Sequence, residues 1–203
     1  PYWSADGSCL YYACASMEGI SHDGADKISD DYDKIHYNIV KAEFNPSNRS
    51  FGEAEVIFNA DTLGMSATFP RPSPDGRYLL FTLGQFGNFH IWHKEADLYL
   101  MDLYDRSVCK LENVNSDDTE SYHSWSSNGR WIVFSSRRDD GVHTRLYIAY
   151  FDESGRAFKP FVLPQKDPCR YDRLFKSYNI PEFIVEEVGH GPKDFVKAVR
   201  KTK

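Results

Sequence analysis

The chain has no long apolar run and no excess of positive charge. No stretch of its 203 residues approaches the roughly 18 apolar residues that a membrane-spanning helix needs. Its 24 lysines and arginines are outnumbered by 30 aspartates and glutamates, which gives a formal net charge of −6. A chain of this charge lacks the broad positive field that attracts nucleic acid. The sequence therefore predicts neither a transmembrane span nor a nucleic-acid partner.

The sequence also lacks the short motifs that identify common active sites. It contains no Gly-x-Ser-x-Gly nucleophile elbow, no Gly-x-x-x-x-Gly-Lys-Ser/Thr phosphate loop and no His-Glu-x-x-His pair. Cys-x-x-Cys is absent too, which argues against a zinc knuckle, a dithiol redox motif and covalent c-type haem. We assign no catalytic residue, no cofactor and no metal ligand from the sequence.

Cysteine is scarce, with only Cys9, Cys14, Cys109 and Cys169. Four cysteines allow three pairings, and the sequence does not choose among them. Cys9 and Cys14 lie five positions apart on one predicted strand, where an extended chain separates them by about 17 Å, too far for a bridge. We favour buried free thiols that pack as small hydrophobic groups.

What the sequence does contain is a repeated turn. Ser-x-Asp/Asn-Gly occurs three times, ending at Gly7, Gly76 and Gly129. The Asx side chain caps a tight turn, and glycine accepts the positive φ that a hairpin turn needs. The second and third copies precede nearly continuous β-formers at 77–82 and 130–135, which predicts strands covered on both faces. The repeated serines are therefore interpreted as turn formers.

The repeat extends beyond the turn. Alignment on the glycines places similar residues in shared columns: Leu10, Leu79 and Ile132 in one, and Tyr12, Phe81 and Phe134 in another. Further strands are predicted in each copy, a third at 36–44, 97–103 and 145–151, and a weaker fourth at 53–58, 108–114 and 157–163. Four antiparallel strands per repeat are typical of a propeller blade. We predict an all-β β-propeller chain with about three four-stranded blades, at residues 1–60, 66–115 and 119–164.

The repeated pattern resembles a known family. Pro-x-Trp-Ser-x-Asp-Gly, a hydrophobic strand and then a Leu-Tyr-Leu/Ile strand are similar to the repeat of TolB-type β-propellers, over about residues 1–164. The first copy departs from that pattern at Ala5 and the third at Ser127 and Asn128, and both changes preserve the turn. The resemblance implies a periplasmic or outer-membrane-associated protein of the bacterial cell envelope, with a protein or another envelope component as its partner. It leaves the function open, because such propellers serve several roles.

Three blades do not close a ring, since propellers typically have four to eight. We expect this chain to be part of a larger propeller, because it begins inside a motif at Pro1 with no initiator methionine or leader before it. The alternative is a homodimer in which two copies complete each other, because an open arc exposes strand edges that invite pairing.

The positions just before each turn are the candidate binding residues. Tyr2, Arg71 and Ser124 are equivalent in the alignment, and His123 precedes Ser124. They belong to the predicted innermost strands, which line the central channel. Tyrosine, arginine and histidine converging near the axis suit an anionic or peptide-like ligand. The other interpretation is that these side chains only bind water along the channel wall. The column of Trp3 and Trp125 is better explained by packing between blades.

Two segments have a composition that a metal could use. The acidic segment 22–34 includes five aspartates, but their spacing does not match an EF-hand, and such runs are mostly solvated surface. This segment stays a candidate for contacting a partner. His90 and His93 lie three positions apart, which on a strand puts them on opposite sides, so they could not readily share a metal ion. In a loop the two side chains could lie on the same side.

The blade pattern ends at Pro164, and residues 165–203 are predicted to form a C-terminal tail with short helices. One is predicted at 171–178 and another after Gly191-Pro192, where the lysines and Arg200 suit the C-terminal end of a helix dipole.

Two functions follow from the sequence. The first is a non-catalytic binding propeller that docks an envelope partner through its channel face. The alternative is the propeller portion of an enzyme, either a domain that gates a peptidase or a metal-dependent sugar lyase similar to TolB-type propellers.

Overall fold

The computed structural model describes residues 1–16 and 31–201, which form three four-stranded antiparallel sheets. The first sheet contains β1 (Tyr2–Trp3), β2 (Cys9–Ala15), β3 (Tyr37–Asn45) and β4 (Ser50–Phe58). The second contains β5 (Ser66–Pro72), β6 (Tyr78–Gly84), β7 (Asp97–Asp102) and β8 (Val108–Lys110). The third contains β9 (Glu120–Trp125), β10 (Trp131–Ser136), β11 (Arg145–Tyr150) and β12 (Phe161–Val162). Spatial order follows chain order in every sheet, which confirms the predicted all-β propeller fold with three four-stranded antiparallel blades.

The repeated turn has the same hydrogen bonds in all three sheets. The serine hydroxyl donates to the Asx side chain, over 2.6 Å from Ser4 to Asp6 and 2.7 Å from Ser126 to Asn128. The same hydroxyl accepts a backbone N–H five residues later, at 2.9 Å from Cys9 and from Trp131. The glycine that follows has φ between 67° and 73° in all three copies. The serines therefore act as turn formers, as predicted.

Each sheet has two faces, and the repeat identifies them. We call the face that carries the aligned columns of Leu10 and Tyr12 the leading face. On the second sheet these columns are Leu79 and Phe81, both fully buried against Tyr11 of the first sheet. On the third sheet they are Ile132 and Phe134, both fully buried against the second sheet, with Leu80, Leu98 and Val114 in the same cluster. The hydrophobic core therefore lies between the sheets.

The first strand of each sheet lies innermost. Strand β5 packs against β1, β2 and β3 of the first sheet, and β9 packs against β5, β6 and β7 of the second. This packing gathers the first strands at one side of the arc, as expected for the strands that line a propeller channel.

The C-terminal tail corrects one prediction. The helix predicted at 171–178 is a single 3₁₀ turn at Tyr171–Arg173, followed by irregular chain up to α1 (Pro192–Lys201). The guanidinium of Arg145 donates to the carbonyls of Tyr171 and Lys176, over 3.0 and 3.1 Å. The N–H of Tyr178, which a helix would pair with the carbonyl of Leu174, donates instead to the carbonyl of Thr144 over 3.1 Å. The end of the segment is therefore bound to the third sheet and not to its own helix.

The cysteines correct a second prediction. All four are free thiols, but Cys14, Cys109 and Cys169 are exposed and Cys9 is half-buried. The expectation of buried thiols is wrong because β2 has a partly open face, and because Cys109 and Cys169 lie on a short outer strand and in the tail.

Among the residues described, no helix is long and apolar enough to cross a membrane.

Candidate functional site

The structure brings two of the four candidate residues into contact. Arg71, near the end of β5, places its guanidinium carbon 3.9 Å from the centre of the Tyr2 ring on β1. A cation over the face of an aromatic ring is attracted by the ring quadrupole, and the flat guanidinium also stacks well. The innermost strands of the first and second sheets therefore supply one side chain each to a single cationic site.

The third member of this site is Glu182, which the sequence did not suggest. Its Oε1 lies 2.6 Å from Nη2 of Arg71, an ion pair that joins the tail to the second sheet. The Arg71 side chain is 14% exposed and that of Glu182 is 44% exposed. Charge-assisted hydrogen bonds of this length are roughly twice as strong as neutral ones. No motif identified Glu182, because it lies 111 residues from Arg71, outside the repeat.

Arg71 is held in place at its backbone as well. The indole N–H of Trp125 donates to the Arg71 carbonyl over 2.9 Å, which links β9 to β5. Nη1 of the same guanidinium is buried and has no hydrogen-bond partner among the described residues. One guanidinium nitrogen is thus bound to a carboxylate while a second is left unsatisfied.

His123 lies inside the protein beside this cation. It is fully buried, with Nε2 donating to the carbonyl of Leu80 over 3.1 Å and Nδ1 accepting from the Thr82 hydroxyl at 3.5 Å. Burial, followed by the nearby positive charge of Arg71, lowers the pKa of His123 to about 3. The imidazole is therefore neutral at physiological pH.

Ser124 is also buried, at 1% exposure, and its hydroxyl has no partner among the residues that the structure describes. Both His123 and Ser124 are covered, whereas Tyr2 is 39% exposed. A ligand contact through His123 or Ser124 stays a prediction. The exposed part of the site consists of Tyr2, Glu182 and the partly exposed Arg71.

An unusual backbone conformation precedes the candidate residues. Phe69 and Tyr122, at equivalent positions two residues before Arg71 and Ser124, have φ values of 54° and 49°. Their rings contact each other, with centroids 5.0 Å apart, and the strand register shifts at the same point in both sheets. Bulges of this kind re-aim side chains, and left-handed aromatic residues persist only when their surroundings hold them. Nothing in the sequence pattern predicts these two bulges.

The two tryptophans of the aligned column lie in different environments. Trp125 packs against the buried cluster between the second and third sheets, as predicted for packing between blades. Trp3 is 44% exposed and contacts Phe44 and Phe51 within its own sheet.

The histidine pair lies at the opposite end of β6. His90 is the first residue of a 3₁₀ turn (His90–Trp92), and His93 follows that turn, so neither lies on a strand; their ring centroids are 5.6 Å apart. Burial, and then the neighbouring His93, lowers the pKa of His90 to about 4. Within the described residues, no three His, Cys, Asp or Glu side chains come close enough to hold a metal. Most of the acidic segment 22–34 lies outside the described residues.

Several solved structures are similar to this chain. TolB from Acinetobacter baumannii is 17% identical, over 79% of this chain and 31% of its own length, with a TM-score of 0.47. The β-propeller domain of the Trilobed protease from Pyrococcus furiosus is 18% identical, over 79% of this chain and 41% of its own length, with a TM-score of 0.42. An oligogalacturonate lyase in complex with manganese is 14% identical, over 78% of this chain and 40% of its own length, with a TM-score of 0.50.

These likenesses concern the fold alone. The chain spans between 31% and 41% of the length of the three structures, at identities below one fifth. The resemblance to TolB-type propellers is confirmed at the level of the fold. No protein-family model matches the chain.

Proposed function

We propose that this chain is part of a non-catalytic binding propeller of the bacterial cell envelope, which docks a protein or cell-wall-associated partner through its channel face. One observation carries the proposal. The cation of Arg71, at the innermost strands, is oriented by an aromatic ring and already contacts a carboxylate from a peptide segment. A site built in this way suits recognition of acidic groups on a partner.

The chemistry of the neighbouring residues supports binding as the role. His123, which lies inside the protein beside Arg71, is buried and neutral and is bound to the Leu80 carbonyl. The resemblance of the repeat to TolB-type propellers supports the envelope location, in the periplasm or at the outer membrane. The net charge of −6 supports a protein partner over nucleic acid.

The proposal is tested by capture from an envelope extract. The tagged chain is immobilised and exposed to detergent-solubilised bacterial envelope, in parallel with Arg71→Met and with Arg77→Met. Arg77 is the matched control, because it lies near Arg71 but pairs with Asp102 and is 53% exposed. We expect the wild-type chain and Arg77→Met to retain the same envelope protein, and Arg71→Met to lose most of it.

Three results would count against the proposal. The first is that no envelope protein is retained. The second is that Arg71→Met retains as much as the wild-type chain while its melting temperature is unchanged. The third is turnover of a polygalacturonate substrate that stops when a chelator is added, which would favour the lyase alternative.

A further inference from the structure

We infer that Arg71 and Tyr2 form a receptor for a glutamate carried on an extended peptide, and that Glu182 of the chain's own tail occupies this receptor until an acidic segment of the partner replaces it. The inference rests on the proposed binding function and names its ligand class. It also assigns residues 178–183 a role that the repeat does not require.

The receptor is built from all three sheets. The Tyr2 ring of the first sheet faces the guanidinium of Arg71 on the second, and Trp125 of the third binds the Arg71 carbonyl. The Arg71 side chain is mostly buried, so few conformations are open to it and little entropy is lost when a carboxylate binds. This arrangement is fixed before any partner arrives.

The tail uses only part of the receptor. Glu182 contacts Nη2 of Arg71, whereas Nη1 is buried and without a partner among the described residues. A carboxylate that binds arginine with both oxygens satisfies two nitrogens, and such bidentate pairs are stronger and more specific. A partner carboxylate with that geometry would therefore bind better than Glu182 does.

The tail is held nearby but loosely at the site. It is anchored before the site, where the N–H of Tyr178 donates to the Thr144 carbonyl over 3.1 Å and Pro181 is buried. Beyond the half-buried Phe183 the chain is exposed, with Ile184 at 65% and Val185 at 84%. A tethered ligand acts at an effective concentration on the order of millimolar, enough to compete with a weak ligand and to yield to a strong one.

The test uses the tail sequence as a separate probe. A fluorescent peptide that copies residues 178–186 is titrated into the wild-type chain and into Glu182→Gln, followed by fluorescence anisotropy. We expect Glu182→Gln to bind the peptide about tenfold more tightly than the wild-type chain, because its own tail no longer competes. A second peptide, in which glutamine replaces the first glutamate, should bind Glu182→Gln about tenfold more weakly than the original peptide does.

Three further variants distinguish binding at Arg71 and Tyr2 from general effects of tail charge or of folding. Glu187→Gln removes one exposed tail charge away from Arg71 and should bind the peptide like the wild-type chain. Arg71→Met in the Glu182→Gln background should bind the two peptides equally. Tyr2→Ala, which alters a 39% exposed side chain, should reduce the discrimination without affecting folding.

The inference is overturned if Glu182→Gln binds the two peptides equally, or if the wild-type chain binds the glutamate peptide as tightly as Glu182→Gln. If the wild-type chain binds as tightly as Glu182→Gln while envelope capture still depends on Arg71, only the role of the tail is lost. If Glu182→Gln binds the two peptides equally, the glutamate receptor is lost as well. If the peptides are discriminated but no envelope protein is captured, the proposed function fails and the receptor remains.

Discussion

The leading faces of the first and third sheets have the same repeat and opposite surroundings. Ile132 and Phe134 of the third sheet are fully buried, whereas the equivalent Leu10 and Tyr12 of the first are partly exposed. On that face of the first sheet, Trp3 is 44% exposed, and Phe51 and Val56 are 49% and 53% exposed. The repeat makes both faces apolar, and a neighbouring sheet buries only one of them.

This difference shows where the stability of the fold lies. A strand gains most of its hydrophobic stabilisation when the next sheet removes its side chains from water. Among the described residues, neither buried cluster between the sheets includes a side chain from the leading face of the first sheet. Closure of the ring by further blades, or by a second copy of the chain, would cover this face and stays a prediction.

The largest expected difference concerns the aromatic column. Phe134→Ala and Phe81→Ala should each lower the free energy of unfolding by about 3–5 kcal/mol, because each leaves a cavity between two sheets. Tyr12→Ala, in the same column of the first sheet, should cost about 1 kcal/mol. Denaturant unfolding measures all three. An equal loss at Tyr12 would show that something covers the leading face of the first sheet in solution.

The next effect is a loss of stability at low pH, which we expect from the buried histidines of the second and third repeats. The folded-state pKa values of His90 and His123, about 4 and about 3, lie below the unfolded value of about 6.5. Between these values the unfolded chain binds more protons, so stability falls as the pH falls below 6.5. Each of the two histidines should lower the free energy of unfolding at pH 5 by roughly 2 kcal/mol.

The measurement is the free energy of unfolding at pH 7 and pH 5. His123→Gln, which can still donate to the Leu80 carbonyl, should lose about 2 kcal/mol less than the wild-type chain over this interval. An identical loss in both proteins would contradict the pKa of His123. The first sheet should contribute little, because no histidine in its described residues is buried.

A smaller difference is expected when the same substitution, valine to threonine, is made on a covered face and on an open face. Val114 is fully buried between the second and third sheets, and Val56 is 53% exposed on the first. Val114→Thr should lower stability by about 1–3 kcal/mol, because it buries a hydroxyl among apolar groups. Val56→Thr should change it by less than about 0.5 kcal/mol. Thermal unfolding measures the stability of both variants, and a similar loss of stability in the two would contradict the exposure of Val56.

The smallest expected effect should be the same in all three repeats. Gly7, Gly76 and Gly129 have positive φ, and a Cβ at each would meet no atom closer than 3.6 Å. Alanine should therefore cost about 1 kcal/mol at each turn, from backbone strain alone. Urea unfolding of the three variants tests this. A much smaller loss at Gly7 would show that the first hairpin is not coupled to the cooperative unfolding of the other sheets.

Much of the fold could be predicted from local chemistry. The Ser-x-Asx-Gly turn specifies its own hydrogen bonds, and the β-forming runs after it specify β6 and β10. The predicted helix at 171–178 is wrong because the N–H of Tyr178 binds the carbonyl of Thr144, which is distant in the sequence, and not a carbonyl of its own segment. The exposed cysteines were missed because exposure depends on whether another sheet covers the strand.

The candidate site was only partly predictable for the same reason. Alignment placed Tyr2 and Arg71 in equivalent positions of neighbouring repeats, and a propeller brings such positions together. Glu182 lies outside the repeat and has no sequence feature that links it to Arg71. The burial of His123 and the bulges at Phe69 and Tyr122 arise from packing between β5 and β9.

The sequence by itself determined the repeating unit, namely its turn, its four strands and the apolar columns on its faces. These follow from backbone conformation and side-chain type within some 50 residues. Only the tertiary structure decided which columns are buried, which histidines are buried and which carboxylate meets Arg71. Those outcomes depend on contacts between segments far apart in the chain, where burial and charge are set by the neighbour that a residue meets in space.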